Sequence, residues 1–329
     1  MPRLPRFGEC PLRRVTKNQR GVRPMTVCIA AMADNGKRIV CAADTMIANA
    51  TSSADSVAGK VLMFRDWTFL MSGTLSPADL LYDTVKREMG NAADNEHRTV
   101  RRCLEIAHRE EMGKWMAGRW LSPYNLDWES YGREHTSRFT DEYRDELSRK
   151  MLQDADSNYD AEVIVCGWGD YARKNDNGVP YIFSINRDGV GLHRTEGAYA
   201  CGGGAPAAMA SLYFHRHRRS MTLAQVVYYV LAARFMAERT VGVGRDTTML
   251  AVLRREASEE PWYILPADQI NTIRAEWMRR GAPRMPNGME DKLLKILKLH
   301  EPQLSVTPDH MISSIKKASK QARSDKSEA

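Results

Sequence analysis

Residues 26–45 read TVCIAAMADNGKRIVCAADT, two runs rich in small and β-branched residues that flank Asp34-Asn35-Gly36. Runs of this composition are typical of strands. An Asn-Gly pair between two such runs favours a tight hairpin turn. The stretch therefore predicts a hairpin whose first strand, TVCIAAMA, begins at Thr26 and whose second strand is KRIVCAADT.

The remaining strand and helix signals come in blocks. KVLMF and WTFLMS predict two further strands, and Ser76-Pro77 predicts the start of a helix that ends near Gly90. The other predicted elements are a helix over about 99–120, strands at AEVIVCGWGD, VPYIFSINRDG and VGLHRTEG, helices over 202–217 and 222–239, a strand at DTTMLAVLRR and a short helix over 266–280. Blocks of this kind favour layered α+β packing, with two antiparallel sheets covered by two helix pairs, over a doubly wound parallel sheet.

Charge and polarity divide the chain into three parts. Residues 1–24 carry seven basic residues against Glu9, which accounts for six units of the chain's net charge of +7. We predict that this segment is a disordered basic arm or a propeptide. Residues 25–255 are predicted to form the core domain, with a polar insertion at 121–158, and residues 256–329 a helical C-terminal extension with a disordered, Lys-rich end.

The bulk composition disfavours several classes of function. A near-neutral core domain disfavours nucleic acid as the main partner, although the basic arm alone would bind it in a salt-sensitive way. The chain has no run of about 18 apolar residues, so we expect no membrane span. Six cysteines without CxxC spacing predict reduced thiols in a cytoplasmic protein. No histidine pair lies beside cysteines or carboxylates at metal-ligand spacing, so we expect no metal and no cofactor.

Thr26 directly follows Met25, and this pair suggests a particular chemistry. A threonine hydroxyl is a useful nucleophile only beside a base. An N-terminal threonine carries its own base, a free α-amino group with a reference pKa of about 7.7–8.0. If translation starts at Met25, removal of that methionine exposes Thr26. Alternatively, residues 1–24 are a propeptide with an unusual junction, or the threonine stays blocked and merely opens a strand.

Taken together, these segments resemble the opening of proteasome β subunits and their bacterial relatives. A Thr-led strand, a hairpin ending in an acid, a strand-initiating lysine and a small-Gly turn before a helix occur in that order in TVCIAA, GKRIVCAADTMI, GKVLMF and WTFLMSGT. Later, AEVIVCGWGD, GVPYIFSINRDGVG and AYACGGG resemble the central hairpin and Gly-rich turn of the same family. The resemblance implies an N-terminal-nucleophile hydrolase from Met25 to about Arg254, with a four-layer αββα sandwich in which two antiparallel sheets lie between two helix pairs.

The resemblance assigns roles to four residues that match the family's motifs. Thr26 matches the nucleophile, Asp44 the acid that orients the lysine, and Lys60 the lysine held near the threonine. A buried ammonium there would favour ionisation of the hydroxyl. Gly73 matches the residue whose backbone N–H forms the oxyanion hole, and one such donor is typically worth about 2.7–4 kcal/mol of transition-state stabilisation. From the residues alone, Asp44 could equally cap a turn and Lys60 could be a solvated strand-end lysine.

Two positions depart from the family's pattern. Where the Gly-rich turn usually carries a serine that supports the threonine amine, this chain has Cys201, and a thiol is the weaker hydrogen-bonding group. Where an aspartate and a serine usually follow the last helix pair, this chain has Glu238 and Val241, with Thr240 as a stand-in hydroxyl. The resemblance therefore implies supporting roles for Cys201 and Glu238, in an altered form.

Two functions from different classes follow from the resemblance. The first is a threonine-type endopeptidase or amidohydrolase that cuts peptides or unfolded protein, assembles into a homo-oligomeric ring and receives substrate from an ATPase partner. The second is a catalytically inactive ring or scaffold subunit of the same shape, which the altered support positions favour.

Overall fold

The structure is a computed structural model that describes residues 26–44, 46–48, 53–55, 60–73, 75–133, 139–169, 180–240, 243–244, 248–255 and 262–281. The chain divides into two units, Met1–Arg279 and Arg280–Ala329, and every strand and α-helix described below lies in the first. The predicted arm at 1–24 and the predicted Lys-rich end lie outside the described residues, so the proposed division into three parts stays a prediction.

The strands form two five-stranded sheets and one separate pair. In chain order the strands among the described residues are β1 (Cys28–Ala33), β2 (Arg38–Asp44), β3 (Met46–Ala48), β4 (Ser53–Asp55), β5 (Val61–Phe64), β6 (Trp67–Gly73), β7 (Ala161–Gly167), β8 (Tyr181–Asn186), β9 (Gly189–Leu192), β10 (Ala198–Cys201), β11 (Thr248–Arg254) and β12 (Trp262–Ile264). One five-stranded sheet has the order β10-β1-β2-β11-β12 and the other the order β5-β6-β7-β8-β9, while β3 and β4 pair separately. Every neighbouring pair is antiparallel, which confirms the predicted α+β class with two antiparallel sheets.

Seven α-helices accompany these sheets in the described part of the chain. They are α1 (Leu75–Asn91), α2 (His97–Met116), α3 (Trp128–Arg133), α4 (Asp141–Asn158), α5 (Ala205–Phe214), α6 (Leu223–Ala237) and α7 (Ala267–Glu276). Helices α1 and α2 contact β6 to β9, and α5 and α6 contact β1, β2 and β10. None of the helices in this part of the chain combines the length and the apolar character needed to cross a membrane.

The predicted first hairpin is confirmed, and its turn explains why the sequence folds there. Asp34 and Asn35 both have positive φ, which aspartate and asparagine tolerate better than most residues. The turn joins β1 to β2 in a register that places Cys28 opposite Ala43. The Asp34 carboxylate also accepts the backbone N–H of Leu223, so the turn is tied to the start of α6.

Two apolar clusters hold the elements together. Between the two sheets, residues of β1 and β2 pack against Leu70, Ile164 and Cys166 of the second sheet. On the other face of the second sheet, Trp67, Phe69 and Phe183 pack under the helices. Strands β1, β2, β6, β7 and β8 are therefore buried on both faces along most of their length, which explains why their sequences read as nearly continuous apolar runs.

The structure differs from the prediction at several element boundaries. Four short strands, β3, β4, β10 and β12, were not predicted, because runs of three or four residues give little periodic signal. Strands β3 and β4 form here by pairing with each other, and β10 and β12 by pairing with β1 and β11. Helix α1 starts at Leu75, so Ser76 lies inside its first turn and is not its N-cap. Within the insertion at 121–158 the sequence predicts a helix from Thr140 to Leu152. Helix α4 extends beyond that range to Asn158, because its apolar face joins the cluster under the second sheet.

Candidate active site

Thr26 lies immediately before β1 and is almost completely buried, with 5% of its surface exposed. Its carbonyl oxygen accepts the backbone N–H of Gly204 over 3.2 Å, which ties it to the glycine turn after β10. Its side-chain oxygen Oγ1 contacts the hydroxyl of Ser72 and accepts the backbone N–H of Gly73 over 3.3 Å. The candidate nucleophile is therefore held between the ends of two strands from different sheets.

Gly73 is the residue whose backbone geometry aims an amide at Thr26. It ends β6 with φ +84°, a conformation that residues with a side chain rarely adopt. A Cβ at this position would lie 2.2 Å from the carbonyl oxygen of Asp160. A larger residue would therefore also displace the backbone at the start of β7. A donor fixed in this way needs no reorganisation when negative charge develops near Thr26.

Lys60 and Asp44 form a buried ion pair beside this site. The ammonium of Lys60 donates to Asp44 Oδ1 over 2.5 Å, and the two residues are 4% and 0% exposed. Burial raises the pKa of the Asp44 carboxyl, and the nearby charges of Lys60 and Arg234 act in the opposite direction. The predicted pairing of these two side chains is therefore present.

Two backbone hydrogen bonds connect the ion pair to Thr26. The N–H of Asp44 donates to the carbonyl of Val27, the residue after Thr26, over 3.3 Å. The carbonyl of Lys60 accepts the N–H of Met71 over 2.8 Å, and the next residue along β6 is Ser72, which contacts Thr26. The structure thus brings four of the predicted residues to adjoining strand ends; their catalytic roles remain predictions.

Ser72 is a site residue that the sequence reasoning missed. It is 3% exposed, its hydroxyl contacts Thr26 Oγ1, and its strand partner in β7 is Glu162. Glu162 in turn accepts the backbone N–H of Gly202. A signal was available: Ser72 lies two residues after Leu70, whose side chain faces the other sheet, so period-2 alternation directs Ser72 toward β1 as well.

Cys201 directly precedes Gly202, which packs against Thr26 and Ser72, but the thiol of Cys201 points away from Thr26. It pairs with Cys28 across β10 and β1, and the hydrogen bond of the Cys201 thiol to Cys28, together with burial, raises the pKa of the Cys201 thiol. Cys28 itself donates to the carbonyl of Met71 over 3.2 Å. In the described part of the chain, the side-chain contact of Cys201 is therefore with Cys28 and not with Thr26.

Glu238 caps the end of α6 and contacts two arginines. Arg274 of α7 makes two hydrogen bonds to its carboxylate, and Arg234 Nη1 lies 3.0 Å from its Oε1. The structure therefore does not bring Glu238 to Thr26 by any hydrogen bond among the described residues. Thr240 donates its backbone N–H to Ala237, and Val241 lies outside the described residues.

Two features of the described residues bear on the binding of other groups. No group of three or more His, Cys, Asp or Glu side chains there has an arrangement suited to a metal ion. A cavity of about 310 Å³ lies between α2 and β9, and none of the candidate residues lines it.

Comparisons with known proteins give a fold and no function. No family model matches the chain, and no curated protein matches it. A solved structure of Anbu from Hyphomicrobium sp. strain MC1 has a TM-score of 0.50 and 14% sequence identity, covering 85% of this chain and 100% of that one. A solved structure of Anbu (ancestral beta-subunit) from Yersinia bercovieri has a TM-score of 0.53 and 12% identity, covering 80% of this chain and 100% of that one.

These matches correct the resemblance that the sequence suggested. The assignment to proteasome β subunits of the bacterial type was wrong as stated, because the structural matches are to the ancestral β-subunit proteins called Anbu. At 12–14% identity the likeness shows the fold alone. The chain has an Anbu-like α+β fold, which is related to that of proteasomes in coarse terms.

Proposed function

We propose that the chain is a threonine-type hydrolase of peptide bonds, with the Thr26 hydroxyl as its nucleophile. One observation carries the proposal: the N–H of Gly73 donates to Thr26 Oγ1 over 3.3 Å beside the buried pair of Lys60 and Asp44. A buried hydroxyl with an amide donor aimed at it supplies both the attacking atom and a stabiliser of the oxyanion. A fixed ammonium on the adjoining strand end favours the ionised form of a nearby hydroxyl.

The reaction proceeds in two steps. Thr26 Oγ1 attacks the substrate carbonyl carbon, and its proton passes to the free α-amino group of Thr26, directly or through water. The resulting oxyanion accepts the Gly73 N–H, the C–N bond breaks, and the leaving amine takes the proton from the α-ammonium. Water, deprotonated by the same amine, then hydrolyses the ester on Thr26 and restores the hydroxyl.

The proposal extends to the architecture and the partners of the enzyme. Helices α1 and α2 contact one sheet and α5 and α6 contact the other, which supports a four-layer αββα arrangement. We include in the proposal a homo-oligomeric ring, peptide or unfolded-protein substrates, an ATPase partner and a cytoplasmic location. The buried, free state of the described cysteines is compatible with a reducing compartment.

The decisive experiment compares hydrolysis of short fluorogenic peptides by the wild type and by Thr26→Ala. We expect the substitution to abolish hydrolysis while the unfolding midpoint stays close to that of the wild type. Thr68→Val is the matched control, since Thr68 is a buried threonine of β6 whose hydroxyl bonds to no described residue. Full activity in Thr26→Ala would overturn the proposal.

The free amine of Thr26 can be tested independently by intact-mass measurement. We expect the purified protein to contain a species that begins at Thr26, produced either by removal of Met25 or by cleavage of the preceding arm. A sample that begins at Met1 throughout would lack the amine that serves as base, and it would remove the catalytic proposal without affecting the fold.

A second candidate function is a catalytically inactive subunit or scaffold. It is favoured by the observation that Cys201 and Glu238, the two altered support positions, bond to other residues than Thr26. Labelling with a threonine-directed electrophile separates the two candidates. Protein proven to begin at Thr26 that forms no covalent adduct would favour the inactive subunit.

A further inference from the structure

A series of alternating charges leads from the candidate active site to helix α7. Lys60 pairs with Asp44, and the positive charge of Arg234 on α6 acts to lower the pKa of the Asp44 carboxyl. Arg234 lies 3.0 Å from the carboxylate of Glu238, and Glu238 bonds to Arg274 of α7. The two ends of the series come from parts of the sequence more than 200 residues apart.

Arg234 is the central member, and its burial makes its partners necessary. It is 0% exposed, and burial lowers the pKa of its guanidinium, while the carboxylates of Glu238 and Asp44 act in the opposite direction. Its Nη2 donates to the carbonyl of Gly244 over 2.7 Å, and the N–H of Gly244 faces Asp44 and lowers the pKa of that carboxyl. A buried cation that loses one of these contacts must move, or the folded state that contains it becomes less stable.

Helix α7 is docked firmly enough to hold Arg274 in place. Ile270 and Trp277 are 2% and 3% exposed against the rest of the protein. The Trp277 ring lies 5.4 Å from the ring of Phe235 on α6, and the Arg274 guanidinium lies 4.3 Å over the same Phe235 ring. Arg274 therefore stacks on α6 while both of its terminal nitrogens bond to Glu238.

We propose that Arg274 is a positioning residue for the Lys60–Asp44 pair, acting through Glu238 and Arg234. When both oxygens of Glu238 bond to Arg274, Glu238 neutralises Arg234 only in part, and Arg234 continues to stabilise the ionised Asp44. Without Arg274, both oxygens of Glu238 interact with Arg234 and neutralise more of its charge. The remaining positive charge of Arg234 then offsets less of the cost of burying the ionised Asp44. Helix α7, in the C-terminal extension, thereby becomes part of the candidate active site.

The groups that face this series are few among the described residues. Asp44 is faced by Lys60 and by Arg234, and Arg234 is faced also by Glu238, Arg274 and the Cys28 thiol. Among the described residues, Glu238 and Arg234, both at α6, connect Arg274 to Asp44, and this allows the proposal to be tested by coupling.

The first test uses activity and rests on the proposed function. We expect Arg274→Met, which keeps the stacking bulk and removes the charge, to lower kcat by roughly threefold to thirtyfold with KM unchanged. Arg279→Met is the matched control, because Arg279 follows α7 and pairs with Glu276 at the surface. Equal kcat values for the wild type and Arg274→Met would overturn the inference.

The second test does not depend on activity, so it also decides the inference if the wild type hydrolyses nothing. The unfolding midpoint is measured for Arg274→Met, Asp44→Asn and the double variant. We expect the effects to differ from additivity by more than about fivefold in the unfolding equilibrium constant, although the two residues share no contact among the described atoms. Arg279→Met combined with Asp44→Asn should be additive.

Additive behaviour of Arg274→Met with Asp44→Asn would overturn the inference whatever the activity. If Arg274→Met does not fold, Arg274→Lys replaces it in the same cycle, since lysine keeps the charge and loses the two-pronged bond to Glu238. An inactive wild type together with a non-additive cycle would reject the proposed function and retain the connection through α6.

Discussion

The candidate active site has two sides that are built differently. On the side formed by β1, β2, β5 and β6, the four residues predicted for catalysis contact one another in two pairs at adjoining strand ends. On the side formed by β10 and the end of α6, Cys201 bonds to Cys28 and Glu238 bonds to two arginines. The first side is arranged around Thr26, and the second is arranged around other partners.

The difference teaches that a residue at the expected position need not face the expected group. Cys201 ends β10 opposite Cys28, where its thiol becomes part of the apolar cluster between the sheets. Glu238 lies one residue beyond α6, where its carboxylate contacts the guanidinium groups of Arg234 and Arg274. Substitutions on the first side should therefore damage both stability and chemistry. On the second side, substitution of Cys201 should leave the chemistry at Thr26 largely unchanged, whereas Glu238 and its arginines act on that chemistry only indirectly, through Asp44.

The largest expected effect on the first side is that of Lys60→Met. This change leaves Asp44 buried without its ammonium partner, and removing one member of a buried ion pair typically costs about 3–5 kcal/mol. We expect a large drop in the free energy of unfolding, measured by chemical denaturation, together with loss of peptide hydrolysis.

The double variant Lys60→Met with Asp44→Asn is the control for Lys60→Met. It removes the unpaired charge, so it should recover a substantial part of the lost stability while remaining inactive. If the double variant is no more stable than Lys60→Met alone, the two residues do not form the buried pair described above.

The next effect is that of Gly202→Ala, at the boundary between the two sides. Gly202 has φ +89°, and a Cβ there would lie 2.3 Å from both Ser72 Oγ and the carbonyl oxygen of Thr26. We expect a loss of about 2–3 kcal/mol in unfolding free energy and a displaced Thr26 with reduced hydrolysis. Gly90→Ala is the control, since nothing lies within 4 Å of its Cβ position, and alanine in a helix should be neutral or stabilising.

The first side could be predicted from the sequence because local rules determine it. The Asn-Gly turn specifies the hairpin, and the hairpin register then puts Asp44 beside the start of β1. The small-Gly step at the end of β6 marks Gly73 as a turn residue before a helix. Each of these signals lies within a few residues of the position that it specifies.

The second side could not be predicted, because distant partners determine its contacts. The direction of the Cys201 thiol depends on the pairing of β10 with β1, and β10 is too short to give a strand signal of its own. Arg234, one partner of Glu238, lies four residues before it on α6, but the other partner, Arg274, comes from α7, which no periodic pattern connects to α6. Ser72 was missed for a different reason. The alternation along β6 indicates that its side chain faces β1, but the only site role assigned to this step was that of Gly73.

A smaller effect is expected for Ser72→Ala, which tests whether that missed residue belongs to the first side. Removal of a hydroxyl that contacts Thr26 Oγ1 should lower kcat by about tenfold, equivalent to about 1.4 kcal/mol, with little change in KM. Ser184→Ala is the control, since Ser184 is equally buried and its hydroxyl bonds to His193 at 2.9 Å, away from Thr26. Similar kcat values for the two variants would remove Ser72 from the site.

The smallest effect is expected for Cys201→Ser, which restores the residue type that the family's pattern has at this position. Because the side chain faces Cys28, the new hydroxyl would stay between the sheets, and hydrolysis should change by less than about twofold while stability falls by about 1 kcal/mol. Cys166→Ser should behave alike, since its sulfur lies 3.5 Å from that of Cys41 in the same cluster. A rise in kcat for Cys201→Ser alone would mean that this side chain turns toward the Thr26 amine in the working enzyme, and the contrast between the two sides of the site would then disappear.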